Sequence, residues 1–273
     1  MAKVQSNQVI IKNLKHPFHI VDPSPWPFLT AFSLFFTVSG LTFYLHHYYN
    51  GLFFAFFGFI MLLTNSILWW RDVIREATFE GQHTSYVRVN LRLGMIFFII
   101  SEVMFFFAFF WAFFHSSLNP TWEIGCQWPP KGIQVISPWG LPLLNTFILL
   151  TSGAFMNAAQ YYMIAGYRRN VIICLLYCLV LAVLFTSCQA FEYSRAAFSI
   201  NDSVYGSCFY MITGLHGFHV IIGTLFILVC FIRHLKHHFT RKIHVGFESA
   251  AWYWHFVDVV WIFVFIFIYW WGS

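Results

Sequence analysis

Glu102 is the residue whose position most directly suggests chemistry, because it is a carboxyl in the middle of a long apolar segment. It lies nine residues into the apolar run from Leu93 to Phe114, about 13 Å along an α-helix. A charged carboxyl at the bilayer midplane costs about 2.5 to 3.5 kcal/mol, so such a residue is a functional hypothesis by default. Two interpretations stay open, a proton-active or lipid-facing group and a protonated carboxyl that hydrogen-bonds to another helix.

Three histidines and a second carboxyl also fall inside apolar segments. His216 and His219 are three residues apart, and so are His255 and Asp258, so each pair shares one face of a helix. Intramembrane histidines can bind haem or a metal, but polar side chains in spans commonly form interhelical hydrogen bonds. We therefore expect interhelical polar contacts for these histidines and a buried carboxyl at Asp258, and we predict neither a catalytic residue nor a metal site.

The composition indicates that these residues lie in a membrane protein. Hydrophobic residues make up 59% of the 273 residues and charged residues only 9%, against roughly a quarter charged in soluble domains. The net charge of +5 does not indicate nucleic-acid binding, because the basic residues lie in short connectors between apolar runs.

Seven apolar runs are long enough to cross about 30 Å of hydrocarbon as helices. An isolated span must satisfy its backbone internally, and the alternation of a membrane barrel is absent, so the predicted fold is an all-α polytopic membrane protein. The predicted spans are Pro27–Leu45, Leu52–Trp70, Leu93–Phe114, Leu141–Ala165, Val171–Phe191, Gly206–Ile232 and Ala250–Trp271. We expect the second helix to project beyond the membrane as far as Gly81.

The distribution of basic residues predicts the orientation. Thirteen of the 15 Lys and Arg residues lie on the side of the N-terminus, which is the cytoplasm-equivalent side under the positive-inside rule. The predicted organisation is an N-terminal tail over residues 1–26, helices 1 and 2 with an extended connector over 27–92, and a bundle of helices 3 to 7 over 93–273.

Five long strings carry a resemblance to a known family. They are HIVDPSPWP (19–27), WWRDVIRE (69–76), ISEVMFFFAFFWAFFHSSL (100–118), GLHGFHVIIGT (214–224) and FESAAWYWHFVDVVWIFVFIFIYWWGS (247–273). In these strings the chain resembles the subunit III family of cytochrome c oxidases, from about residue 16 to its end.

The resemblance implies a fold and a set of sites. Helices 1 and 2 should be splayed from the bundle of helices 3 to 7 in a V whose cleft holds phospholipids, and Glu102 should be the family's buried carboxyl of helix 3. The residues at positions that match the family's lipid-headgroup region are Arg71, Arg75, Glu76, His83, Arg92, Arg233 and Lys236.

The resemblance also implies a function. The chain should be a non-catalytic core subunit of the complex that transfers electrons from cytochrome c to oxygen and translocates protons, stabilising the catalytic subunit and holding lipid. Its partners should be the catalytic subunit I, subunit II and membrane phospholipids. The chain itself should carry no cofactor, with haem and copper in the partner subunits and bound phospholipid such as cardiolipin.

The location and two competing functions complete the expectations. The expected location is the mitochondrial inner membrane, with the N-terminus in the matrix and the C-terminus in the intermembrane space; a bacterial plasma membrane is the alternative. One competing function is the equivalent subunit of a quinol oxidase. The other, a seven-helix receptor or retinal protein, is disfavoured by the orientation and by the lack of a lysine in the last span.

Overall fold

The computed structural model describes residues 16–273, and its regular structure is helical throughout that range. The helices long and apolar enough to span a membrane number seven in this part of the chain, which confirms the predicted fold class. They are α1 (Trp26–Leu45), α2 (Gly51–Thr78), α3 (Ser85–Leu118), α4 (Leu141–Ala165), α5 (Arg168–Arg195), α6 (Ser203–Leu235) and α7 (Val245–Val264), with a π-helical turn over Phe265–Trp270. Residues 1–15 of the predicted tail lie outside the described residues.

The helices extend beyond several of the predicted apolar runs. Helix α3 begins at Ser85 rather than near Leu93, because polar residues can continue a helix outside the hydrocarbon, where hydropathy gives no signal. Helix α2 ends at Thr78, and Gly81, with a φ of 69°, turns the chain shortly after it. Positive φ is accessible to glycine at no steric cost, so Gly81 suits this turn.

The chain forms two compact units that meet in sequence between Asn90 and Leu91. In the first unit α1 and α2 pack as an antiparallel pair in which three glycines allow close approach. A Cβ added at Gly40, Gly51 or Gly58 would lie 2.2, 2.3 or 2.5 Å from a backbone nitrogen of the other helix or the residues leading to it. Small residues serve this purpose in membranes, where apolar burial does not drive helices together.

In the second unit α7 forms the centre of the bundle. It contacts α4 and α6, and α5 lies between α4 and α6. The indole nitrogen of Trp254 donates to the Ser152 hydroxyl at 2.9 Å, and that of Trp261 donates to the Thr146 hydroxyl at 3.0 Å. These two bonds fix the register of α7 against α4 while the indole rings fill the core.

From Leu91 onward helix α3 belongs to the second unit. Aromatic side chains pack it against the other helices of that unit. The ring of Phe106 lies 5.0 Å from that of His219 on α6 and 6.0 Å from that of Phe256 on α7. This packing holds the middle of α3, where Glu102 lies, against α6. The domain boundaries and the splayed arrangement expected from the sequence stay predictions.

The close approach of α1 and α2 makes a testable prediction at Gly58. Replacing Gly58 by alanine places a Cβ 2.5 Å from the backbone nitrogen of Thr37, so the two helices must separate, at a cost of about 1 to 3 kcal/mol. We expect Gly58→Ala to lower the thermal midpoint of the purified oxidase complex. Gly217→Ala is the control, because a Cβ there meets nothing within 4 Å in the described residues. Equal midpoints for the two variants would contradict the proposed packing.

Candidate functional site

The Glu102 carboxyl meets a histidine of another helix. Its Oε2 atom lies 2.8 Å from Nε2 of His219, so the contact joins α3 to α6 between residues 117 apart in sequence. The side chain of His219 is 7% exposed and that of Glu102 is 22% exposed. Glu102 therefore reaches the bundle surface while its oxygen is held inside.

The second ring nitrogen of His219 restricts where the protons can be. Nδ1 lies 2.8 Å from the carbonyl oxygen of Leu215, and a carbonyl only accepts, so Nδ1 carries a hydrogen and donates. If the ring is neutral, Nε2 is an acceptor and Glu102 must be protonated and donate to it. If Nε2 also carries a hydrogen, His219 is a cation paired with a carboxylate. In both states the pair has no net charge, which is what a low-dielectric span favours.

His216, His255 and Asp258 lie in the same bundle with different partners. His216 is 1% exposed, and its Nε2 donates to the carbonyl oxygen of Val257 on α7 at 3.2 Å. Nδ1 of His255 lies 3.5 Å from Oδ2 of Asp258, one turn along the same helix. Asp258 is 6% exposed and faces Gly153, where any Cβ would meet its Oδ2 at 2.3 Å. These polar groups are thus placed by contacts within and between helices.

Sequence reasoning predicted buried carboxyls at Glu102 and Asp258 but missed a third, Glu192. It is 3% exposed and accepts a hydrogen bond of 2.5 Å from the Tyr269 hydroxyl and one of 3.2 Å from the Gln189 amide. Asn145 on α4 in turn donates to the Gln189 oxygen at 3.4 Å. Glu192 directly follows Phe191, the predicted end of its span, so it was placed outside the membrane region; its burial comes from the turn that carries Tyr269.

The basic residues expected near lipid headgroups have unequal surroundings. In the first unit Arg71 is exposed and donates twice to the Asp72 carboxylate beside it, at 2.9 and 3.0 Å. Arg75 is exposed one turn further along α2. Both guanidinium groups thus lie near the end of α2, where headgroups could reach them.

Arg92, in the second unit, is already paired. Its guanidinium donates two hydrogen bonds to the Glu248 carboxylate, at 2.7 and 3.0 Å, and His244 lies 3.3 Å from the same carboxylate. Such a bidentate pair is among the stronger polar contacts in proteins. Nothing in the sequence indicated Glu248, because the two residues lie on helices far apart in the chain.

Arg233 and Lys236 form a positive region at the end of α6. The guanidinium of Arg233 lies 4.4 Å above the ring of Phe239, and Lys236 is exposed. Partial burial and the charges of Arg233 and Lys236 lower the pKa of His238 in the following connector. Burial is the larger cause of this lowered pKa, and the two positive charges, which add to it, favour an anionic partner.

Glu76 and His83, which were predicted to lie in the same lipid-headgroup region as the arginines, form a separate cluster. In the first unit they lie together with His19 of the segment before α1, and the three side chains have their ligating atoms within 4.8 Å of one another. His19 was not among the residues predicted from the sequence to form a site.

Comparison with known proteins identifies the family. The family model of cytochrome c oxidase subunit III matches residues 16–273. The chain belongs to the cytochrome c oxidase subunit III family. It is 58% identical over 259 residues to the cytochrome c oxidase subunit 3 of Prototheca wickerhamii, covering 95% of this chain and 99% of that protein. It is 56% identical to the protein of that name from Chondrus crispus, with 95% of each chain covered, and 54% identical to that of Triticum aestivum, with 97% and 100% covered.

Membership in the subunit III family confirms the resemblance seen in the sequence. The chain is a multi-pass membrane subunit of a cytochrome c oxidase, an oxidoreductase complex whose haem and copper reside in other subunits. The polar contacts described above are therefore to be understood as those of a subunit within a larger assembly.

The contact of Glu102 with His219 makes a second prediction. Glu102→Gln keeps a hydrogen-bonding group of the same shape, whereas Glu102→Leu leaves the imidazole unpaired, at a cost of about 0.6 to 1.7 kcal/mol for an interhelical bond in a membrane. We expect the Leu variant to lower the thermal midpoint of the complex more than the Gln variant. In a double-mutant cycle, His219→Leu should cost less in the Glu102→Leu background.

The control for this cycle is Ser101→Ala. Ser101 is the exposed neighbour of Glu102, and its hydroxyl bonds only within its own helix in the described residues, to Phe98. Strictly additive effects of the two leucine substitutions would show that the Glu102 and His219 side chains do not interact.

Proposed function

We propose that this chain is the non-catalytic core subunit of its oxidase. In this role it supports electron transfer from cytochrome c to oxygen, and the coupled proton translocation, by stabilising the catalytic subunit and by holding phospholipid. The observation that carries the proposal is that Glu102 and His219, the polar pair in the middle of α3 and α6, serve as partners for one another at 2.8 Å. This contact suits a scaffold more than a redox centre.

Two of the three intramembrane histidines, His219 and His216, have ring nitrogens that already contact protein oxygens. Both nitrogens of His219 lie at 2.8 Å from protein oxygens, and Nε2 of His216 lies 3.2 Å from a backbone carbonyl. A haem iron or copper ion needs a ring nitrogen with a free lone pair. The proposed places of haem and copper are the partner subunits, the catalytic subunit I and subunit II, as the family resemblance implies.

The apolar surface of the helices supports a role in covering other proteins and lipid. In the most apolar stretch of α3 only 6% of residues are buried within this chain, against 61% for α7. Phe97 and Trp111 on α3 are 67% and 63% exposed. Such a surface is compatible only with lipid tails or with the apolar helices of partner subunits.

The proposed location is the mitochondrial inner membrane, with the N-terminus on the matrix side and the C-terminus in the intermembrane space. The relatives named above, from Prototheca wickerhamii, Chondrus crispus and Triticum aestivum, are each named cytochrome c oxidase subunit 3. The orientation rests on the excess of Lys and Arg on one side of the membrane. A bacterial plasma membrane is the alternative.

Lipid binding is the part of the proposal that rests on individual residues. Arg71 and Arg75 in the first unit, and Arg233 and Lys236 in the second, present cations at helix ends, where anionic headgroups lie. Arginine suits phosphate because its planar fork bonds two oxygens at once. A phospholipid such as cardiolipin offers such phosphates. Nε and Nη2 of Arg92 already donate to the Glu248 carboxylate. Arg92 would therefore contribute to lipid binding only through its remaining terminal nitrogen, Nη1.

Lipid binding by Glu76 and His83 has less chemical support than lipid binding by the basic residues. A carboxylate repels phosphate, so Glu76 could accept only from the ammonium or hydroxyl part of a headgroup. His83 lies beside Glu76 and His19. Their part in lipid binding stays a prediction of the resemblance.

Replacing Arg75 and Arg233 by glutamine tests the lipid proposal. Each substitution removes a charge worth about 1 kcal/mol near an anionic surface. We expect less phospholipid to remain on the complex after delipidation, measured by mass spectrometry, and fewer turnovers before the enzyme inactivates, at an unchanged initial rate per haem.

Arg169→Gln provides the control, because Arg169 is an exposed basic residue outside the proposed lipid-binding set. Retained lipid and turnover lifetime equal to those of the control would reduce Arg75 and Arg233 to orientation signals, and the lipid site would have to be given up.

A further inference from the structure

Three side chains of the first unit form a cluster with the chemistry of a metal site. They are two imidazoles, His19 and His83, and one carboxyl, Glu76, and their ligating atoms all lie within 4.8 Å of one another. The three residues come from the segment before α1, from α2 and from the connector after α2. Each is partly buried.

The segment that carries His19 is fastened on both sides of it. The Thr84 hydroxyl donates to the carbonyl oxygen of Pro17 at 2.6 Å, and the indole nitrogen of Trp26 donates to the Asp72 carboxylate at 2.7 Å. The imidazole of His19 is thereby held with its ring centroid 6.0 Å from that of His83. Ligands held in place before binding lose less entropy when a ligand arrives.

The end of α2 brings His83 back toward Glu76. The amide of Gln82 donates to the carbonyl oxygen of Glu76 at 3.1 Å, and Gly81 adopts a φ of 69°. The chain reverses at this glycine, so His83 lies beside the last turns of α2 instead of one helical turn beyond them. Spacing along the sequence gave no sign of this arrangement.

The charges around the cluster favour a cation. Burial raises the pKa of the Glu76 carboxyl, His19 beside it lowers that pKa, and the negative charges of Glu80, Asp72 and Asp22 raise it further. The charge of Asp72 is itself offset by Arg71. A dication at this place would face several carboxylates and two imidazoles. It would relieve the repulsion among these carboxylates.

We propose that His19, Glu76 and His83 bind a divalent transition-metal ion, with Zn²⁺ as the best match. Two imidazole nitrogens and one carboxylate oxygen form a known zinc ligand set, with bonds of about 2.0 to 2.2 Å. Donor atoms around a tetrahedral ion with such bonds lie about 3.4 Å apart, so the cluster has to contract by roughly 1 Å. Mg²⁺ and Ca²⁺ prefer oxygen ligands and fit the two imidazoles poorly.

The ion would act as a clamp between the segment before α1 and the end of α2. A metal site here would contradict our expectation from the sequence that the chain has none, because that expectation considered only histidines inside the spans. The inference does not depend on the proposed role in lipid binding.

The test uses the purified intact oxidase complex, stripped with a chelator and titrated with Zn²⁺ alone in equilibrium dialysis. Loss of an outer-shell partner weakens metal binding 10- to 100-fold, so we expect His19→Ala, Glu76→Gln and His83→Ala each to weaken one class of site by about 100-fold or more. His46→Ala and His47→Ala are the matched controls, two exposed histidines of the same unit, and both should leave that class unchanged. Equal zinc binding in all five variants would overturn the proposal.

A second variant guards against loss of folding. His83→Cys keeps a zinc ligand, so zinc should still bind, and X-ray absorption should show an added sulfur neighbour at about 2.3 Å. Absence of this sulfur from the bound zinc would overturn the proposal. So would variants of Glu76 and His83 that retain zinc but release phospholipid, since the two residues would then serve the headgroup region.

Discussion

Polar groups inside an apolar bundle must find partners within the protein, and this constraint determines how the helices of the second unit fit together. An unpaired buried donor or acceptor costs about 1 to 3 kcal/mol, and lipid tails offer no replacement. Glu102 with His219 joins α3 to α6, Trp254 with Ser152 joins α7 to α4, and Glu192 with Tyr269 joins α5 to the turn after α7. Each bond is satisfied in only one register of its two helices, so together they select one packing.

The first unit solves the same problem with close backbone contact. Three glycines let α1 and α2 approach, and the one buried amide on α2, Asn65, donates to the Ser33 hydroxyl on α1 at 2.9 Å. The last turns of α2 carry charged side chains such as Arg71 and Glu76. The apolar middle holds the helices together, and the polar ends are left for binding.

The sequence predicted the features that depend on hydropathy and missed those that depend on chain reversal. The number and approximate place of the spans follow from apolar length, so the seven helices were predictable. The start of α3 at Ser85 was not, because polar residues continue a helix outside the bilayer with no hydropathy signal. Contacts between distant segments, such as Arg92 with Glu248 or His19 with Glu76, need the folded chain, since no spacing rule relates them.

We propose that this chain supports oxygen reduction without taking part in it. Contacts such as that of His219 with Glu102 suit a scaffold, because they occupy the nitrogens that a redox metal would need. The proposed role of the lipid and of the surrounding helices is to preserve proton uptake by the catalytic subunit over many turnovers. A scaffold of this kind changes how long the enzyme works more than how fast it starts.

Oxygen consumption per haem, by complex depleted of this chain and then given the purified chain back, tests the claim most directly. The account predicts that depletion leaves most of the initial rate, shortens the number of turnovers before inactivation, and is reversed when the chain is restored. Loss of the initial rate with haem content unchanged would contradict the account, because the chemistry would then require a group in this chain.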